Sequence, residues 1–217
     1  MRTRILVPSG DRPFESMKPK FLLPLALLGL TACSSTKELD VQTSDRWVAP
    51  SPVLEEQLQS EAERLPWTRD IERLELIRWF AGVGEPAYPT LLELVTDERD
   101  EVSAAALSAI GATGDRRLVP HVQDLEWNAS ERSFDVRLER ARTLLRLGDW
   151  SEVPTLIEGL EDERLLTRAL SVQALREATR QEFAFDPRGE DTARELAVAR
   201  WERWWMSYSG DPLRSED

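Results

Sequence analysis

The chain has 217 residues, enough for one ordinary domain plus processing segments, and 41% of them are hydrophobic, enough to give that domain a buried core. Charged residues make up 31% with a net charge of −12, a field that repels phosphate backbones and anionic headgroups and argues against nucleic acid as a partner. One cysteine excludes an internal disulfide, and the one histidine, His121, has no second histidine or cysteine with which to build a metal site, so neither metal nor cofactor is expected. Gly is scarce and Leu, Ala, Glu and Arg dominate the middle of the chain, a composition that favours helices.

Residues 1–16 contain Pro8, Gly10, Asp11 and Pro13 and no apolar stretch, and they read as an upstream extension with Met17 as the initiator. From Met17 the order is a basic start at Lys18 and Lys20, an apolar run from Phe21 to Leu30, and small residues before a cysteine. That order is an export signal over 17–32, and its run is too short for a permanent membrane span. Leu30-Thr31-Ala32-Cys33 resembles the lipobox of bacterial lipoproteins. The resemblance implies a diacylglycerol thioether on Cys33, cleavage after Ala32 and acylation of the freed amine. It also implies a membrane partner reached through lipid. Ser34, in place of an aspartate that would resemble an inner-membrane retention signal, favours the outer membrane with the chain facing the periplasm. Residues 33–53 are polar, carry Pro50 and Pro52 and show no helical period, which reads as a spacer.

Beyond the spacer, Leu54, Leu58, Ala62 and Leu65 fall on one helical face ended by Pro66. A second helix is predicted from about Arg69 to Phe80, with Ile71, Leu74, Ile77 and Phe80 on its inner stripe. A unit then recurs. Gly84 to Pro89, Gly114 to Pro120 and Gly148 to Pro154 match as connectors, and a 34-residue shift superposes Val102 on Val136, Gly114 on Gly148, Asp115 on Asp149 and Pro120 on Pro154. In a helix–turn–helix unit the glycine supplies a left-handed helix end, the acid sits near the next N-terminus, and the proline takes the first turn, where a missing N–H costs nothing. The stripes Leu91-Leu92-Leu94-Val95, Val122-Leu125 and Leu156-Ile157-Leu160 follow, with Val102, Ala105, Ala106, Leu107 and Ile110 on a second helix.

This pattern is similar to the HEAT repeat family, above all the short variety named after phycobilisome lyases, over roughly residues 70–180. The resemblance implies an all-α superhelix, a solenoid of antiparallel helix pairs, filling 54–208 before a tail at 209–217. Two departures stand out. Ser103 replaces the arginine usual after the valine, which Arg137 keeps in the next unit, and the turn over 126–135 is loosely matched.

The C-terminal segment places Trp201, Trp204, Trp205 and Tyr208 on one helical face after Phe183-Ala184-Phe185-Asp186-Pro187. It reads as a Trp-rich capping helix, with a stacking platform for glycan rings or a partner peptide as the other reading. Arg137, Arg140, Arg168 and Arg176 are the candidate partner-binding cations of the second helices, against intramolecular pairing with acids such as Glu139, Glu163 and Glu177. The sequence contains no Gly-x-Ser-x-Gly, no phosphate-cradling loop and no His-Glu-x-x-His. The expected function is therefore a non-enzymatic scaffold on the envelope membrane that offers one face to an envelope protein. A cell-wall or glycan-binding lipoprotein is the second expectation. Bilin-lyase chemistry is the third, and export argues against it.

Overall fold

The computed structural model describes residues 47–125 and 132–210, so the export signal, the lipobox, Cys33, the spacer up to Arg46 and the last seven residues lie outside the described residues. The described residues form nine α-helices and no strand. None of these helices is long and apolar enough to cross a membrane.

α1 (Pro52–Arg64) begins where the Ser51 hydroxyl accepts the Leu54 N–H, with Pro52 in the first turn. Its inner face carries Leu58, with Leu54 and Ala62 partly buried, and Leu65 and Pro66 turn the chain into a short 3-10 segment. The spacer expected to run to residue 53 therefore gives way to ordered chain earlier. Pro52 and Val53 are helical, and Trp47 is already packed on the body.

α2 (Asp70–Val83) turns a different face inward from the one expected. Leu76 and Phe80 are its buried residues and Ile77 is partly buried, whereas Ile71 is 72% and Leu74 43% exposed. The apolar residues of this helix cover more than one face, and packing against α4 selects the Leu76–Phe80 side.

α3 (Tyr88–Val95), α4 (Asp100–Thr113), α5 (Val119–Gln123), α6 (Phe134–Arg146), α7 (Val153–Glu158), α8 (Leu165–Thr179) and α9 (Asp191–Ser209) complete the chain order. Val102, Ala105, Ala106, Leu107 and Ile110 are all buried on α4, as the sequence pattern requires. α2, α4, α6 and α8 each pack on the next, while α1 packs on α3 and α7 on α9. α3 with α4, α5 with α6, and α7 with α8 make the cross-pairs.

The buried side chains form two clusters, and α6 is the wall between them. Val136, Leu144 and Leu147 join the cluster of α1 to α5, while Leu138, Ala141 and Leu145 join that of α7 to α9. Small residues set the closest approaches. A Cβ on Gly111 would stand 3.3 Å from the Thr143 Cα, and the Thr143 hydroxyl donates to the Leu107 carbonyl at 2.8 Å, so α4 and α6 meet almost backbone to backbone. Ser103 is fully buried and donates to the Val95 carbonyl at the end of α3, a position that an arginine could not fill without displacing α3.

The three matched connectors place glycine where the backbone turns left-handed, with φ of 73° at Gly84, 67° at Gly114 and 90° at Gly148. At Gly148 the Gly148 N–H reaches the Leu145 carbonyl and the Asp149 N–H the Leu144 carbonyl, which satisfies the last turn of α6. The acids after Gly114 and Gly148 accept N–H groups of the turn: Asp115 that of Arg117 and Asp149 that of Ser151.

Candidate functional site

The four arginines singled out from sequence are all engaged within the chain. Arg137 lies over the Phe134 ring, 4.9 Å from its centroid, and stands 4.0 Å from Glu158. Arg140 pairs with Glu152 at 2.5 Å and donates to the Val122 and Gln123 carbonyls. Arg168 is 9% exposed and donates to the carbonyls of Pro187, Asp162 and Glu163, which ties the 183–190 loop to the turn before α8. Arg176 holds the Phe185 carbonyl and the Glu182 carboxylate. Their partners are mostly carbonyls and acids of neighbouring elements, while Glu139 is taken by Arg142. These guanidiniums satisfy helix ends and loops.

A second set of cations, not singled out from sequence, secures the turns. Asp97, Asp115 and Asp162 each accept both the backbone N–H and the guanidinium of the arginine two residues later, Arg99, Arg117 and Arg164. Those guanidinium hydrogen bonds hold all three carboxyls below the usual aspartate range; Arg117 is pushed up by Asp115 and then Glu85, and Arg164 by Asp135 and then Asp162. The clamps link along the stack: Arg117 reaches back to Glu85, Arg164 to Asp135, and Arg132 to the Thr96 and Asp97 carbonyls. An Asp-x-Arg spacing was the available signal.

The same edge receives the end of the spacer. Trp47 meets Tyr88 edge-on at 4.9 Å and His121 at 5.3 Å, with the Arg117 guanidinium 5.3 Å from its ring centroid. The Val48 N–H donates to Glu85, whose carboxyl is lowered first by Arg117 and then by this bond. Burial and a hydrogen bond to Asp115 raise the Tyr88 hydroxyl.

The C-terminal aromatic residues divide. Trp201 is fully buried, with Phe183 edge-on at 4.7 Å and Trp204 at 5.6 Å, so it belongs to the core of α7 to α9. Trp204, Trp205 and Tyr208 are half-buried. They are joined by Trp150 from the Gly148 connector, which stacks on Tyr208 at 4.8 Å and 12°, and Trp205 stacks on the same ring at 18°. Sequence reading placed the α9 face but missed Trp150, because only folding brings the connector to the end of α9.

These rings form one wall of a groove of about 1040 Å³, lined by Arg116, Arg146, Gly148, Asp149, Trp150, Ser151, Trp205, Tyr208 and Ser209. Among the described residues no group of His, Cys, Asp and Glu is arranged to hold a metal ion. No family model matches this chain, and no curated protein matches it significantly.

Proposed function

We propose that this chain is a non-enzymatic, lipid-anchored adaptor of the bacterial envelope: a HEAT-like helical solenoid held by Cys33 at the periplasmic face of the outer membrane, presenting a face to a protein partner. The observation that carries the repeat reading is the recurrence of one connector. Gly84, Gly114 and Gly148 each take a positive φ between one helix and the next, proline-opened one, and the even-numbered helices α2, α4, α6 and α8 pack in one row. Quasi-one-dimensional stacking of this kind serves binding by its extended surface. The Trp-rich end fits a cap, because Trp201 closes the core that α7 and α8 leave open.

Lipid anchoring rests on Leu30-Thr31-Ala32-Cys33 and the export signal before it. Two or three acyl chains hold a protein at a bilayer without any transmembrane helix. A glycan-binding reading has one observation in its favour, the half-buried Trp150, Trp205 and Tyr208 at the groove.

Crosslinking of the intact lipoprotein in envelope fractions tests the adaptor reading. The expected result is a discrete protein adduct that disappears in Cys33→Ser, whose product stays as an uncleaved precursor. A chain that crosslinks to no protein, while its removal abolishes turnover of a small molecule, contradicts it.

A further inference from the structure

Arg116 and Arg146 are set apart from the other arginines by where they lie. Both are exposed, both line the groove walled by Trp150, Trp205 and Tyr208, and neither has an ion-pair partner among the described residues. Arg116 lies across the backbone of Gly148, with its Nε 3.2 Å from where a Cβ would stand, so the absent side chain makes room for the guanidinium. Negative groups nearby are already occupied. The Leu144 and Leu145 carbonyls are taken by the Asp149 and Gly148 N–H groups. Asp149 accepts the Ser151 N–H and hydroxyl and the Gln123 amide.

We infer that this groove is the partner site of the proposed adaptor and takes an acidic peptide segment whose carboxylates pair with Arg116 and Arg146 while an apolar side chain packs against Trp150, Trp205 and Tyr208. The inference rests on the adaptor reading and names the chemistry of its partner. Local charge complementarity selects the occupant: guanidiniums bind carboxylates bidentately, and Arg116 and Arg146 give the groove a positive rim that works against the chain's net charge of −12. A volume of about 1040 Å³ accommodates a short stretch of chain. Trp150 and Trp205 each stack a face on Tyr208, and the guanidiniums beside them favour a carboxylate-bearing occupant over a neutral sugar.

Calorimetric titration of the full chain with acetyl-Glu-Leu-Glu-Glu-Leu-Glu-amide tests this, beside its all-glutamine analogue and a uronic-acid trisaccharide. The expected result is binding of the acidic peptide alone, weakened about tenfold or more by Arg116→Gln/Arg146→Gln and by raised salt. Arg78→Gln/Arg188→Gln, which removes two arginines outside the groove, should leave it unchanged. Equal binding of the glutamine peptide, binding of the trisaccharide alone, no binding at all, or a groove variant as tight as the parent each overturns the inference. If the groove variant still crosslinks to its envelope partner in the earlier experiment, the groove assignment fails and the adaptor reading stands.

Discussion

Gly159→Ala is the sharpest perturbation of the helix packing. Gly159 follows α7 with an ordinary helical φ of −63°, so alanine there carries no backbone strain, and any cost must come from space. A Cβ at this position would lie 2.2 Å from the Ser171 Oγ on α8 and 3.2 Å from a Leu138 methyl on α6. Moving the hydroxyl aside breaks its 2.9 Å bond to the Thr167 carbonyl in a buried site, a loss of about 1 kcal/mol. Overpacking against Leu138 adds to it, and the total should fall at about 1–3 kcal/mol. In a domain of this size that lowers the melting temperature by roughly 2–4 °C per kcal/mol, measurable by circular dichroism. Adding Ser171→Ala removes the displaced hydroxyl, though not the lost bond or the Leu138 contact, and should recover part of the loss. A single variant as stable as the parent, or a double variant no better than the single, refutes the close approach of α7, α6 and α8.

Trp201→Ala should cost roughly 3–5 kcal/mol in chemical denaturation, whereas Trp205→Ala, at the half-buried groove wall, should cost about 1 kcal/mol or less; equal costs would contradict the division between core and groove. Arg168→Met should destabilise by about 2–3 kcal/mol, because it strips a charged donor from the Pro187, Asp162 and Glu163 carbonyls, and limited proteolysis should then cut first in 183–190. Asp97, Asp115 and Asp162 have folded pKa values below their unfolded ones, so their stabilisation is present above the unfolded aspartate pKa of about 3.9 and lost as pH falls through the lowered values. Stability should therefore be flat from pH 7 to about 5 and fall below about 4, and Asp162→Asn should shrink that fall; an unchanged acid profile in Asp162→Asn would contradict the clamp.

Local chemistry made much of the helical order legible. The four-and-three spacing of Leu54, Leu58, Ala62 and Leu65 marked α1, and the Gly-to-Pro connectors marked the ends of α2, α4 and α6, because a left-handed glycine and a first-turn proline are properties of a few adjacent residues. α2 was legible as a helix but not in its orientation. With Ile71, Leu74, Leu76, Ile77 and Phe80 spread around it, the buried face depends on where α4 lies, and that is a tertiary fact. That the arginines pair within the chain was legible, but the identity of their partners was not, for the same reason. Arg140 finds Glu152 and two carbonyls of the α5 end, and Arg168 finds three carbonyls, none of them a neighbour on its own helix. The Asp-x-Arg clamps needed no long-range information, only attention to a side chain that folds back on its own turn. Trp150 could not be assigned to the α9 aromatic face from sequence, since its ring joins Tyr208 only when the Gly148 connector reaches the end of α9.

The membrane tether is the claim on which the adaptor account turns, and the mass of the N-terminal tryptic peptide of the protein purified from envelope membranes tests it most directly. The account predicts Cys33-Ser34-Ser35-Thr36-Lys37 carrying a diacylglycerol thioether and an acylated amine. A peptide that retains Ala32, or one that begins at Cys33 with a free thiol, would contradict it.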